Sequence, residues 1–96
     1  MDQVQQILSR IKIMLVSMGF EETTVVNPYR SASNFVREGL YCIPQYVERL
    51  GFLIEYANSY EDAQKHRYDD GDVFPLALGE EAILEGLRQE IMSNMP

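Results

Sequence analysis

The run Phe52-Leu53-Ile54-Glu55-Tyr56-Ala57 carries apolar side chains at both parities of a strand, with Phe52, Ile54 and Tyr56 on one face and Leu53 and Ala57 on the other. A strand that is apolar on both faces holds together only inside a sheet, with a further layer of structure behind it. The rest of the chain therefore has to supply neighbouring strands and at least one helix. With 96 residues it can build one domain around one core, and an enclosed cofactor cavity would consume much of that core.

Two helices are legible at the ends. Val4, Ile7, Leu8, Ile11, Leu15 and Met18 recur at spacings of three and four, which predicts an amphipathic helix from about residue 2 to residue 18. Ile13, Met14 and Val16 widen that stripe, so this helix is expected to be covered on more than one side. Gly19 stands where a left-handed cap belongs, and Phe20 can fold back on Leu15. Near the other end Gly79 serves as an N-cap, Glu80 and Glu81 occupy the positive first turn, and Ile83, Leu84, Leu87 and Ile91 form the stripe. Gly86 inside this helix costs on the order of 1 kcal/mol relative to alanine, which points to a close approach by a neighbour. Met92 to Pro96 should fray.

Between the helices, Thr23 to Val26 is β-branched and reads as a strand that Asn27-Pro28 stops. Tyr29 to Asn34 reads as a loop. Phe35 to Arg37 and Leu40 to Ile43 are short extended runs around Gly39, compatible with one bulged strand. Pro44 to Leu50 suits either one or two helical turns or a hairpin connection, and we prefer the hairpin. Ser59-Tyr60-Glu61-Asp62 resembles a capping box opening a helix of two or three turns, which Asp70-Gly71 ends with a tight turn. Val73 to Leu76 packs down onto the core, with Pro75 limiting its regularity. The expected fold class is α+β: an N-terminal helix, a small antiparallel sheet of about three strands, a short acidic helix, and a C-terminal helix packed on the sheet.

Charge has a direction along this chain. Up to Ile54 five acids are matched by five basic residues, whereas from Glu55 onward ten acids face only Lys65, Arg67 and Arg88, so the net charge of −7 arises wholly in the second half. Phosphate backbones are disfavoured as direct ligands, because nucleic-acid affinity comes largely from cationic side chains displacing counterions. A basic protein partner fits. No run approaches the ~18 apolar residues of a membrane span, and the opening MDQVQQ lacks the pattern of a signal peptide. Cys42 is the single cysteine, so neither an internal disulfide nor a cysteine-rich zinc site can form, and a cytoplasmic location is expected.

Few residue patterns point to catalysis. Asp69-Asp70-Gly71-Asp72 invites comparison with a calcium loop, but placing Gly71 at the sixth position puts His66 at the first, Tyr68 at the third and Ala77 at the twelfth, which rules out an EF-hand. The alternatives are a looser Mg²⁺ site from Asp69, Asp72 and Glu81 and a solvated turn that caps a helix. His66 is the only histidine and lies near the negative end of the short helix, and any histidine-based relay would have to use it. Cys42 sits in an apolar run with no adjacent base, the setting of a packing thiol. Among the six tyrosines, Tyr60 and Tyr68 flank the acidic helix, where they can serve as interface anchors or as rim residues of the core.

The segment from Leu50 to Ile91 resembles the C-terminal part of small bacterial proteins, some of them immunity proteins of toxin–immunity systems. The likeness lies in an apolar strand, Ser-Tyr-Glu-Asp-Ala, Asp-Gly-Asp, Phe-Pro-Leu and a final acidic helix. It implies a small acidic protein that binds and blocks a cognate toxin, often a nuclease. The expected function is accordingly a non-enzymatic binding protein, monomeric or homodimeric, needing no cofactor. Its partner surface would comprise Tyr60, Glu61, Asp62, Tyr68, Asp69, Asp70, Asp72, Glu80 and Glu81. Two other readings stand beside it: a metal-dependent hydrolase using Asp69, Asp70, Asp72 and Glu81, and an oligomerising domain whose dimer seam is the broad stripe of the first helix.

Overall fold

The computed structural model describes residues 2–26 and 31–95. Helix α1 (Gln3–Ser17) is followed by an antiparallel sheet of β1 (Glu21–Val26), β2 (Ser31–Arg37), β3 (Leu40–Val47) and β4 (Gly51–Ala57). A short helix α2 (Tyr60–Gln64), the two-residue strand β5 (Asp69–Asp70), a 3₁₀ turn at Leu76–Leu78 and helix α3 (Glu80–Asn94) complete the chain. The sheet runs in sequence order from β1 to β5, so it is a meander. The α+β class and the two long helices are as expected, but the sheet has five strands and not about three.

Helix α1 begins where the Asp2 side chain accepts from the Gln5 amide at 2.8 Å. It ends as the sequence predicts, with Gly19 at φ +93° and the Phe20 amide reaching back to the Leu15 carbonyl at 3.0 Å. Ile7, Ile11 and Leu15 are fully buried. Phe52, Ile54 and Tyr56 of β4 point to the same side of the sheet and join Ile83, Leu84, Leu87 and Ile91 of α3 in the main core. Both long helices thus cover one face. The other parity of β4 brings Ala57 against Ala63 of α2 and Val25 of β1, a second and smaller cluster with Tyr41 and Tyr68 at its margin.

Several expectations need correction. Ser31 to Asn34 is part of β2 and not loop; Asn27-Pro28 and Tyr29 lie outside the described residues. Phe35 to Arg37 and Leu40 to Ile43 belong to separate strands, joined by Glu38 at φ +49° and Gly39 at φ +83°, the paired positive φ values of a tight hairpin turn. The preferred hairpin reading of Pro44 to Leu50 holds, with β3 continuing to Val47 and pairing with β4 from Tyr41 to Val47. Pro44 is tolerated there because β2 pairs with β3 only from Leu40 to Cys42, so its missing N–H breaks no ladder.

Helix α2 opens as expected, the Ser59 hydroxyl accepting from the Asp62 amide at 3.1 Å, but it ends after little more than one turn. His66, at φ +57°, takes the left-handed position after it, and the chain then enters β5, so Asp70-Gly71 does not end the helix. Beyond β5, the Gly71 amide donates to the Ile54 carbonyl and Phe74 exchanges two backbone hydrogen bonds with Phe52. Helix α3 runs on to Asn94 and does not fray from Met92. Its Gly86 does mark a close approach, since a Cβ there would lie 2.9 Å from Cδ1 of the Phe74 ring.

Candidate functional site

Tertiary packing sorts the ten acids of the second half into three groups. The first is neutralised by cations. Arg10 of α1 reaches across to the start of α3, its Nη1 lying 2.5 Å from Glu80 Oε2 and 3.1 Å from Glu81 Oε1. The two carboxylates, Glu81 foremost, raise the pKa of the guanidinium above its ordinary value. Within α2, Lys65 Nζ lies 2.7 Å from Glu61 Oε1, and this hydrogen bond holds Glu61 below the usual carboxylate range. Within α3, Arg88 and Gln89 bind Glu85 and bring its pKa down to about 2. Glu80 is half-buried and the other partners lie largely in solvent, which screens these pairs so that they add little to stability.

The second group is used inside the fold. Glu90 accepts from the Tyr56 hydroxyl at 2.7 Å and from the Asp72 amide at 2.5 Å, tying α3 both to β4 and to the segment after β5. Gly71 makes room for it, because a Cβ at that position would press on the Glu90 carboxylate. Burial, reinforced by this carboxylate, raises the Tyr56 hydroxyl pKa strongly. Burial likewise pushes the Cys42 thiol up to about 12, with Glu90 adding to the effect. A thiol so held is protonated at neutral pH and is a core residue, not a nucleophile. Glu55 on β4 accepts from the Gln45 side chain of β3.

The third group is Asp62, Asp69, Asp70 and Asp72, which form no ion pair among the described residues. All four fall within residues 62–72, the stretch that leaves α2 and becomes the outer edge of the sheet. Asp69 and Asp70 are exposed on β5, the last strand of the meander. The register sets Asp70 directly opposite Glu55, on the face that carries α2.

The expected partner surface is thus divided. Asp69 and Asp70 lie on the edge strand, Asp72 just after it and Asp62 on α2 before it, whereas Glu80 and Glu81 are drawn to Arg10, and Glu61 to Lys65. Tyr60 is 54% exposed and tilts against Tyr41 at 6.1 Å between ring centroids. Tyr68 is more deeply placed. Its hydroxyl donates to Oδ1 of the fully buried Asn34 at 2.9 Å, and its ring meets His66 edge-on at 5.0 Å. Sequence reasoning missed Glu55, although a single acid in an otherwise apolar strand was a visible signal.

The set Asp69, Asp70, Asp72 and Glu81 invoked for metal-dependent hydrolysis is not assembled. Among the described residues no three carboxylate, histidine or cysteine side chains converge to hold a metal ion. Comparison of the chain with protein-family models, with curated proteins and with solved structures gave no match. Among the described residues no helix is long and apolar enough to cross a membrane.

Proposed function

We propose that this is a binding protein that presents the edge formed by Asp62, Asp69, Asp70 and Asp72 to a basic protein partner. The observation that supports this most is the placement of Asp70 opposite Glu55. Like charges directly opposed on a sheet cost up to about 1 kcal/mol. A lysine or arginine brought between them by a partner reverses the sign of that contribution. Tyr60, exposed at the start of α2, supplies an apolar contact. The charges act chiefly on association rate and selectivity.

The sequence resemblance implies the partner class, a cognate bacterial toxin domain, often a nuclease in that group, and with it the role of an immunity protein. The protein itself performs no chemistry in this reading.

The test is a comparison of wild type with the triple variant Asp69→Lys, Asp70→Lys, Asp72→Lys in binding to the cognate toxin domain. All three side chains are exposed, so the variant is expected to keep its thermal midpoint. Affinity is expected to fall by roughly 100-fold or more, with most of the change in association rate. Undiminished binding would remove this edge from the interface.

A further inference from the structure

The widened stripe of α1 leads to a second surface, on the opposite side of the charge ledger from the acidic edge. Met14 is partly buried against the core, but Ile13 and Val16, one turn apart on the same side of α1, are 68% and 57% exposed. The expectation that this helix is covered on more than one side is therefore not met within the chain. Other exposed large apolar residues, such as Val26, Leu50 and Leu78, belong to separate elements and connections. Scattered single residues of that kind are ordinary on a surface, whereas two adjoining ones on a helix form a ridge.

Ile13 and its neighbours separate two grooves. One, of about 490 Å³, lies between α1 and α3, with Met14 and Leu84 in its lining and Ile13 at its rim. The other, of about 250 Å³, lies between α1 and the sheet, where Ile13, Val16 and Phe35 meet Lys12 and Glu22. A ridge beside a groove on one helix is self-complementary. Turned by a two-fold axis, the ridge of each copy enters the groove of the other, the ordinary mode of helix packing.

Charge selects the same occupant. The two grooves together carry Arg10, Lys12 and Arg88 against Glu22, Glu81 and Glu85, a balanced set on a chain of net charge −7. A strongly basic partner gains little on a balanced face. A second copy is repelled by the unpaired acids of β5, which also guard that edge against strand pairing. On the α1 face it meets both signs.

We propose that a second copy of this chain docks on the α1 ridge, forming a two-fold symmetric dimer in which Ile13 and Val16 enter the partner's α1–α3 groove and the β5 edges remain outward. Sedimentation equilibrium of the full chain tests this. Wild type is expected to dimerise with a dissociation constant of about 100 µM or tighter. Ile13→Asp and Val16→Asp, singly and together, are expected to weaken the dimer at least roughly 10-fold, with helical circular dichroism retained because both side chains are exposed. The Asp69→Lys, Asp70→Lys, Asp72→Lys variant should dimerise as well as wild type or better, which separates this surface from the one that takes the basic partner. A wild type still monomeric at about 0.5 mM leaves the ridge to a different protein and overturns the proposal, as does an Ile13→Asp, Val16→Asp variant that dimerises like wild type.

Discussion

Phe52→Ala is expected to lower the unfolding free energy by about 3–5 kcal/mol, the largest effect of any single truncation here. Phe52 is fully buried, stacks at a tilt on Tyr46 with 4.8 Å between centroids, and belongs to the core that α1 and α3 share. Its backbone also exchanges hydrogen bonds of 2.9 and 2.8 Å with Phe74. The neighbours able to close the resulting void are held by the sheet or by a helix packed across it, so collapse is limited and the cavity contribution stays near its full size. Domains of this kind are stable by about 5–15 kcal/mol, so the variant retains only part of its margin. Urea unfolding reads the loss directly. The exposed Leu50, two residues earlier, serves as the contrast, since Leu50→Ala should stay within about 0.5 kcal/mol of wild type.

Gly51→Ala is expected to cost about 3 kcal/mol, although it adds one methyl group and removes nothing. Two causes combine. Gly51 sits at φ +140°, which a side chain makes unfavourable by about 1–2 kcal/mol. An added Cβ would also press on the Phe74 carbonyl, 2.7 Å from its carbon and 2.8 Å from Pro75 Cα. Those atoms are backbone, so relief requires the segment after β5 to retreat and loosen its two hydrogen bonds with Phe52. Gly39→Ala separates the causes. Gly39 also has positive φ but has nothing near its added Cβ, so only the conformational part, about 1 kcal/mol, is expected. Equal losses at the two glycines in thermal or urea unfolding would contradict the close contact at Gly51.

What the sequence revealed about this fold follows the range of the forces involved. The start and stop of α1, the Ser59 cap of α2 and the stripe of α3 depend on residues three or four apart, and all were legible. Ser31 to Asn34 has the polar composition of a loop and becomes strand only because β1 pairs with it, Thr24 opposite Ser33 and Thr23 opposite Asn34. Asp69-Asp70 is a poor strand by propensity and exists as β5 through its register with Tyr56 and Glu55. Long-range pairing overrode local preference in both places.

The candidate site divides in the same way. That the acids crowd into the second half could be counted along the chain, and the stretch from Asp62 to Asp72 keeps that character. That Glu80 and Glu81 would be met by Arg10 depends on α1 lying beside α3, a contact between residues 70 and 71 positions apart that no local pattern announces. The excess width of the α1 stripe was visible in Ile13 and Val16, but only the packed structure shows that the chain leaves those two residues uncovered.

Packing pairs the acids of the α1–α3 face with cations and leaves Asp69, Asp70 and Asp72 without an ion pair among the described residues. Titrating the labelled protein with a decalysine peptide, and following each backbone amide by nuclear magnetic resonance at low salt, measures this most directly. Shifts concentrated at Asp62 and from Asp69 to Asp72, and abolished at about 0.5 M salt, are the expected result. Shifts of equal size around Glu80, Glu81 and Glu85 would contradict it.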